Sequence, residues 1–271
     1  MDRIDDLSFL IDEPMEAYLE NAGEYLTSHQ LKDFRASPLL YYRKVTGLAP
    51  EPPDRPAYVI GSAAHTLILE GPKAFDAGYA VGGPVNPKTG EVYGRRTKTF
   101  TAWAEKQGKP VLTDSQADLI GELYNAVQAH EQACALLSDG VAEGVVRADY
   151  RRVACQCRID WLNPAHGIVD LKTCDDLTWF ESDAKRYGYI YQMAFYRAVL
   201  GQVIGNLAEI PVHILAVEKQ EPYRCGAWRL APDVLTYAQK ENEQALERLK
   251  RCRATDTWPT GYEEVRTFGS L

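Results

Sequence analysis

The chain has 271 residues, 45% of them hydrophobic, and a formal net charge of −8 at neutral pH. That length and apolar content support one or two domains with a substantial core. No stretch approaches the ~18 apolar residues of a membrane-spanning helix, and Met1-Asp2-Arg3-Ile4-Asp5-Asp6 lacks a signal-peptide pattern, so a soluble, cytoplasmic protein with no membrane association is predicted. The six cysteines (134, 155, 157, 174, 225 and 252) include no C-x-x-C pair and are read as reduced thiols, mostly buried.

In chain order, acids crowd the start: Asp2, Asp5, Asp6, Asp12, Glu13, Glu16, Glu20 and Glu24. Ser37-Pro38 reads as an N-cap followed by proline at the first helical position, opening a helix through about Val45. A proline-rich connection at 50–56 leads to a helix carrying His65. Residues 71–96 then read as irregular, with turns at Gly82-Gly83-Pro84 and Asn86-Pro87-Lys88-Thr89-Gly90. Arg95, Arg96 and Lys98 form a basic cluster ahead of a helix containing Phe100 and Trp103. Thr113-Asp114-Ser115-Gln116 matches a capping box and starts a long helix with Ile120, Leu123, Tyr124, Val127 and Leu137 on one side, ending near Ser138-Asp139-Gly140. Glu143 follows, where a strand begins.

The next two strands carry the chemistry. Residues 153–162 alternate, with Val153, Cys155, Cys157, Ile159 and Trp161 on one face and Gln156, Arg158 and Asp160 on the other. Asn163-Pro164-Ala165-His166-Gly167 is rich in turn formers and predicts an antiparallel hairpin with the run Gly167-Ile168-Val169, which Asp170-Leu171-Lys172 closes. Side chains two apart on a strand share a face, their Cα atoms roughly 6.6 Å apart, so Asp170 and Lys172 project together. The hairpin brings Asp160 beside them. Two acids and a lysine converging in this way read as half of a metal-dependent phosphodiesterase site. A solvated sheet face also carries such a triplet, but Asp170 follows an apolar pair, and a carboxylate ending a buried strand needs a charge partner or a metal.

Residues 179–200 read as a helix with Phe180, Ala184, Tyr187, Tyr191, Ala194 and Ala198 as its apolar stripe. Lys185, Tyr189, Gln192 and Tyr196 line an adjacent face, where Gln192 and Tyr196 offer an amide and a phenol one turn apart. A buried strand at 212–217, its neighbour at 225–230 and a last helix from Pro232 to about Arg253 complete the chain.

Several of these pieces resemble a known family. Cys157-Arg158-Ile159-Asp160, Ile168-Val169-Asp170-Leu171-Lys172-Thr173 and the run Tyr189 to Tyr196 resemble the PD-(D/E)XK nuclease core in the form carried by the exonuclease VIII (RecE) family. The stretch from Gly61 through His65 to Glu70 is similar to that family's G-x-x-x-H-x-L-x-L-E helix, and Asp256-Thr257-Trp258-Pro259 to its C-terminal tail. The resemblance spans the chain from about Ser37. It implies an α/β fold, a central mixed β-sheet flanked by helices, as a single nuclease domain over 1–271. Within it, 1–138 form a mainly helical N-terminal part, 139–231 the catalytic core, and 232–271 a C-terminal helix and tail.

The resemblance also implies roles. Asp160 and Asp170 are metal ligands, joined by the Leu171 carbonyl and His65, with Lys172 beside the attacking water. There Lys172 can orient or deprotonate the nucleophile, or stabilise transition-state charge. Glu143, Gln192 and Tyr196 assist, although Glu143 also fits a surface acid at a strand start. Mg²⁺, with Mn²⁺ as substitute, suits the oxygen ligands. The implied activity is an ATP-independent 5′-to-3′ exonuclease on linear double-stranded DNA ends. It generates 3′ overhangs for a single-strand annealing protein in phage or prophage recombination, and the enzyme is a homo-oligomer, a ring-shaped tetramer. A structure-selective or site-specific endonuclease, or a noncatalytic DNA-binding protein retaining the fold, are the alternatives. No late cysteine cluster is present for an iron–sulfur cluster. Arg95, Arg96, Lys98 and Arg158 are the expected DNA contacts, an internal basic track within an acidic shell.

Overall fold

A computed structural model describes residues 6–50, 56–205, 210–265 and 267. Its first half is helical: α1 (Met15–Glu20), α2 (Ser28–Ala36), α3 (Pro38–Val45), α4 (Pro56–His65) with a π-helical turn over Thr66–Glu70, and α5 (Pro72–Gly78). β1 (Ala80–Val81) and β2 (Val111–Leu112) pair in parallel around α6 (Lys98–Gln107), and α7 (Asp114–Gln128) and α8 (Glu131–Leu136) follow. The main sheet contains β3 (Val141–Tyr150), β4 (Val153–Asn163), β5 (Gly167–Cys174), β6 (Val212–Glu218) and β7 (Cys225–Arg229) in that spatial order. All neighbours are antiparallel except β5 and β6, whose connection runs through α9 (Phe180–Tyr187) and α10 (Tyr189–Ile204). α11 (Pro232–Thr255) closes the fold.

Two cores flank the sheet. On one side Ile168, Val212 and Ile214 pack with α2, α10 and α11 through residues such as Phe34, Phe195 and Leu246; on the other, Val169, Leu171, Leu215 and Val217 pack with α4, α7 and α8. Successive residues of β5 thus enter opposite cores, as the pleat requires, and each fully buried Leu or Ile contributes about 1.5–3 kcal/mol. Gly167 locks the register. Its φ is 74°, and a Cβ there would lie 2.2 Å from the Pro211 carbonyl oxygen. That oxygen accepts the Ile168 N–H at 3.0 Å, starting the ladder that sets Asp170 opposite Ile214.

The structure corrects several sequence expectations. The long helix after Thr113 breaks into α7 and α8, because His130 Nδ1 accepts the Ala133 N–H and caps a new helix start. The helix expected over 179–200 breaks at Gly188, whose φ of 76° is left-handed, so Lys185 and Tyr187 turn to the surface and do not align with Tyr189 and Tyr191. The stretch 71–96 contains α5 and β1. α2 was not anticipated, although Thr27 and Gln30 cap it with the same reciprocal box as Thr113 and Gln116. All six cysteines are free thiols, but only Cys155, Cys157 and Cys174 are buried. Residues 51–55 of the proline-rich connection, and Asp2 and Asp5, lie outside the described residues.

Candidate active site

Three strands bring three acids side by side. β3 and β4 pair Ala142 with Trp161 and Gly144 with Ile159, which sets Glu143 across from Asp160; β4 and β5 pair Trp161 with Val169, which sets Asp160 across from Asp170. The hairpin expected from the turn residues is therefore present, and it places both predicted carboxylates together. Asp160 Oδ2 accepts the Leu171 backbone N–H at 2.8 Å, tying the two strands at this point. Asp170 lies 2.6 Å from Lys172 Nζ. Neither of its buried oxygens has a well-formed hydrogen bond among the described residues. Glu143 meets Arg158 Nε at 2.6 Å and has a left-handed backbone, φ 56°. From the last turn of α4, His65 Nδ1 comes within 3.6 Å of Asp160 Oδ2.

Crowding like charges out of water raises acid pKa values. Burial and the neighbouring Asp160 push Glu143 up to about 7, although Arg158 pulls the other way. Burial lifts Asp170 to about 6 against the pull of Lys172 and with the push of Asp160. Burial also raises Asp160, opposed by Lys172. For Lys172 burial alone would lower the value, but Asp170 and Asp160 hold the ammonium above its ordinary range. Burial and Lys172 push His65 down to about 4, so its contact with Asp160 is that of a neutral imidazole. Neutral imidazole is the metal-binding form.

The helical side closes over these strands. Gln192 Nε2 donates to Tyr196 Oη at 3.0 Å, as the one-turn spacing predicted, and burial followed by Tyr18 and the site carboxylates raises Tyr196 well above its ordinary value. The Tyr189 ring centre lies 5.0 Å from Lys172 Nζ. His29, on α2, is a member of this surrounding that the sequence reading missed. The packing around it, then Lys172 and Lys32, push its imidazole pKa down, although the ring keeps contact with solvent. The T-x-x-Q box at Thr27 was the available signal for its helix. Of the expected DNA contacts, Arg158 is occupied by Glu143 and by the Glu13 carbonyl at 2.7 Å. Arg95 donates to the Val111 carbonyl at 2.7 Å, while Arg96 and Lys98 are exposed on the loop and first turn of α6.

The donor set fits a divalent cation. His65, Glu143 and Asp160 each offer an atom within 4.8 Å of the others. Beside them Asp170 holds two buried oxygens, Oδ2 at 2.6 Å from the Lys172 ammonium and neither with a well-formed hydrogen bond among the described residues. Carboxylate oxygens with one imidazole suit a divalent cation. A mixed sheet flanked by helices, with acids meeting on three adjacent strands and a lysine two residues beyond the last acid, defines the PD-(D/E)XK nuclease superfamily. Residues 27–269 match the family described as PDDEXK-like domain of unknown function (DUF3799), and the chain belongs to that family.

A solved structure carries the same fold. A crystal structure described as a "Putative exonuclease" from Eubacterium rectale is similar over 96% of this chain and 97% of that one, with a TM-score of 0.67 and 16% identity. LHK-Exo in complex with dAMP matches over 90% of this chain and 98% of its own, at a TM-score of 0.34 and 13% identity. No match is found among curated proteins. No helix among the described residues is long and apolar enough to cross a membrane.

Proposed function

We propose that this chain is a metal-dependent, ATP-independent exonuclease that degrades linear double-stranded DNA from its 5′ ends and leaves 3′ overhangs, in the manner of the exonuclease VIII (RecE) family it resembles. The observation that carries the reading is the row of half-buried Glu143 and Asp160 and buried Asp170, with Lys172 held 2.6 Å from its last member. The description of the Eubacterium rectale structure as an exonuclease accords with it. Mg²⁺, or Mn²⁺, held by Asp160, Asp170, Glu143, His65 and the Leu171 carbonyl, would acidify a water and neutralise charge on the scissile phosphate.

The chain's own residues do the rest. Asp170 fixes the Lys172 ammonium at the row, where it orients the attacking water and meets phosphate charge. The Leu171 N–H steadies the Asp160 carboxylate, and Arg158 steadies Glu143. Gln192 and Tyr196, locked to each other, present an amide and a phenol from α10. The same reading makes the protein cytoplasmic in a bacterial or phage-infected cell and pairs it with a single-strand annealing protein. It also assembles the chain as a ring, a tetramer, with Arg96 and Lys98 turned toward DNA.

The test is hydrolysis of end-labelled linear duplex against covalently closed circular duplex, free of nicks, in Mg²⁺. Linear DNA should be shortened progressively from its 5′ ends while circles survive. Fragmentation of circles at the linear rate would replace this reading with an endonuclease on the same site. DNA binding with no hydrolysis in Mg²⁺ or Mn²⁺ would leave a noncatalytic binder.

A further inference from the structure

Beyond the acid row, α2 and α11 pack side by side, and with the tail over 257–262 they border a cavity of about 520 Å³. Its wall carries Arg35, Arg248, Arg251, Cys252 and Thr257. A second, smaller groove includes His29, Lys32, Arg35, Tyr189, Tyr191 and Gln192. Arg35 lines both. The smaller groove reaches the catalytic residues, since Gln192 bonds Tyr196 and the Tyr189 ring lies 5.0 Å from Lys172 Nζ. Basic side chains thus mark a path that starts at the site and runs along α2 to α11.

Arg35 is built into this path. Its guanidinium lies 3.4 Å from the Tyr191 ring centre and donates to Asn242 Oδ1 at 3.3 Å. Asn242 is only 1% exposed, and it also donates to the Tyr191 carbonyl at 2.8 Å. A guanidinium has five N–H donors in a fixed plane, so this anchoring leaves most of them for a ligand. Lys32, Arg248 and Arg251 are exposed, and none of the four cations forms an ion pair among the described residues. Glu241 acts on Arg35 without contacting it. Cations interleaved with aromatic rings along a groove are the pattern that binds a sugar–phosphate backbone with stacked bases. A half-open cavity of about 520 Å³ has room for a nucleotide or two of one strand.

We propose that the α2–α11 groove, from Gln192 past Lys32 and Arg35 to Arg248 and Arg251, binds the backbone of a single DNA strand next to the catalytic site. The choice of DNA as ligand rests on the nuclease reading above. The groove displaces the basic cluster at Arg95, Arg96 and Lys98 as the principal strand contact.

The experiment reads binding, not hydrolysis. Affinity for a fluorescent oligo(dT) of about 20 nucleotides is measured in EDTA from about 50 to 300 mM salt. Each phosphate contact on a single strand contributes about 0.7 to the slope of log affinity against log salt, so Lys32→Gln/Arg248→Gln/Arg251→Gln should flatten it by about 2. An unchanged slope in this variant, or a loss seen instead in Arg95→Gln/Arg96→Gln/Lys98→Gln, would overturn the proposal. So would wild-type protein with no salt-dependent binding of the oligonucleotide.

A second measurement needs no variant. Cys252 lines the cavity, whereas Cys134 and Cys225, also part-exposed, do not. Saturating oligo(dT) should slow alkylation of Cys252 several-fold while leaving the other two unchanged; equal rates with and without DNA would refute the groove. The outcomes separate the two readings. Protein that binds the strand as described but cleaves nothing sinks the nuclease reading and keeps the groove, and protein that cleaves while the triple variant keeps the wild-type slope does the reverse.

Discussion

In metal-free protein the acid row should take stability away as the pH rises from about 5 to about 8, against the gain that the lowered imidazoles of His65 and His213 give over the lower part of that range. Neutralising the row should remove its share of the profile. Burial and Asp160 lift Glu143 from its ordinary 4.5 to about 7, and burial lifts Asp170 from 3.8 to about 6. Both folded values lie above the unfolded ones, so each group binds more protons folded than unfolded within its window. The stability it contributes is whole below the unfolded value and is lost as the pH climbs through the folded one. Across that range Glu143 crosses about two pH units of its window and Asp170 about one, each unit being worth about 1.4 kcal/mol. The two share the influence of Asp160, which brings the joint loss to about 3 kcal/mol. At about 2–4 °C per kcal/mol this is about 6–12 °C of melting temperature. The assay is thermal unfolding in EDTA for wild type and for Glu143→Gln/Asp170→Asn, whose amides keep the shape and can still accept from Arg158 and Lys172. Between about pH 5 and about pH 8 the double variant should lose less stability, or gain more, than wild type by that amount. Saturating Mg²⁺ should stabilise wild type most at the alkaline end, because the ion takes deprotonated carboxylates. A double variant whose melting temperature changes with pH just as that of wild type does would refute the reasoning.

Asp160→Ala and Asp170→Ala should each abolish Mg²⁺-dependent hydrolysis, whereas Lys172→Ala should lose most of it yet keep a metal-induced shift in melting temperature; near wild-type rates in both acid variants would dismiss the assigned site. Tyr196→Phe leaves the Gln192 amide without its acceptor in a part-buried position, so denaturant unfolding should show a loss of about 1–3 kcal/mol, with hydrolysis reduced less than in Asp170→Ala. Gly167→Ala drives a Cβ to 2.2 Å from the Pro211 carbonyl and forces a left-handed φ on alanine, so it should destabilise by more than about 3 kcal/mol. A soluble variant with an unchanged melting temperature would contradict that register lock.

The strands were legible in the sequence because their signals are local. Alternation over 153–162, the turn formers before Gly167 and the apolar run ending at Asp170 fix a hairpin whose register follows from its turn. The Gln192 and Tyr196 pair was legible for the same reason, being one helical turn apart. What escaped depends on contacts distant in sequence or on a single residue overriding a pattern. Gly188 interrupts a periodic stripe that continues on both sides of it, so periodicity alone extended one helix through two. That Glu143 belongs to the row follows from β3 pairing with β4, which its position after a helix end does not reveal. Arg158, on the polar face of its strand, looked available to DNA until Glu143 and the Glu13 carbonyl proved to occupy it. Lys32 and Arg35 lie more than 200 residues before Arg248 and Arg251, and no local signal joins them.

The energetics of the row argue for function rather than structure. A buried ion pair stabilises only when geometry and hydrogen bonding offset desolvation, and here they do not: Asp170 stays elevated beside Lys172, and Glu143 stays near 7 beside Arg158. Glu143 also holds a left-handed φ of 56°, a conformation that disfavours such a side chain by about 1–2 kcal/mol. Asparagine or glycine would sit there with less strain, and an amide in place of Asp170 would remove the buried charge. Three adjacent acids kept destabilised, with a lysine on the last and a histidine against the middle one, are what a fold retains when a polyvalent cation must bind where they meet. Strain and displaced pKa values also occur in structural ion-pair networks, but the network of Glu218, Asp176 and Arg224 in this same chain shows the contrast. There the acids shift downward and the arginine upward, each group stabilising the others without any added ion.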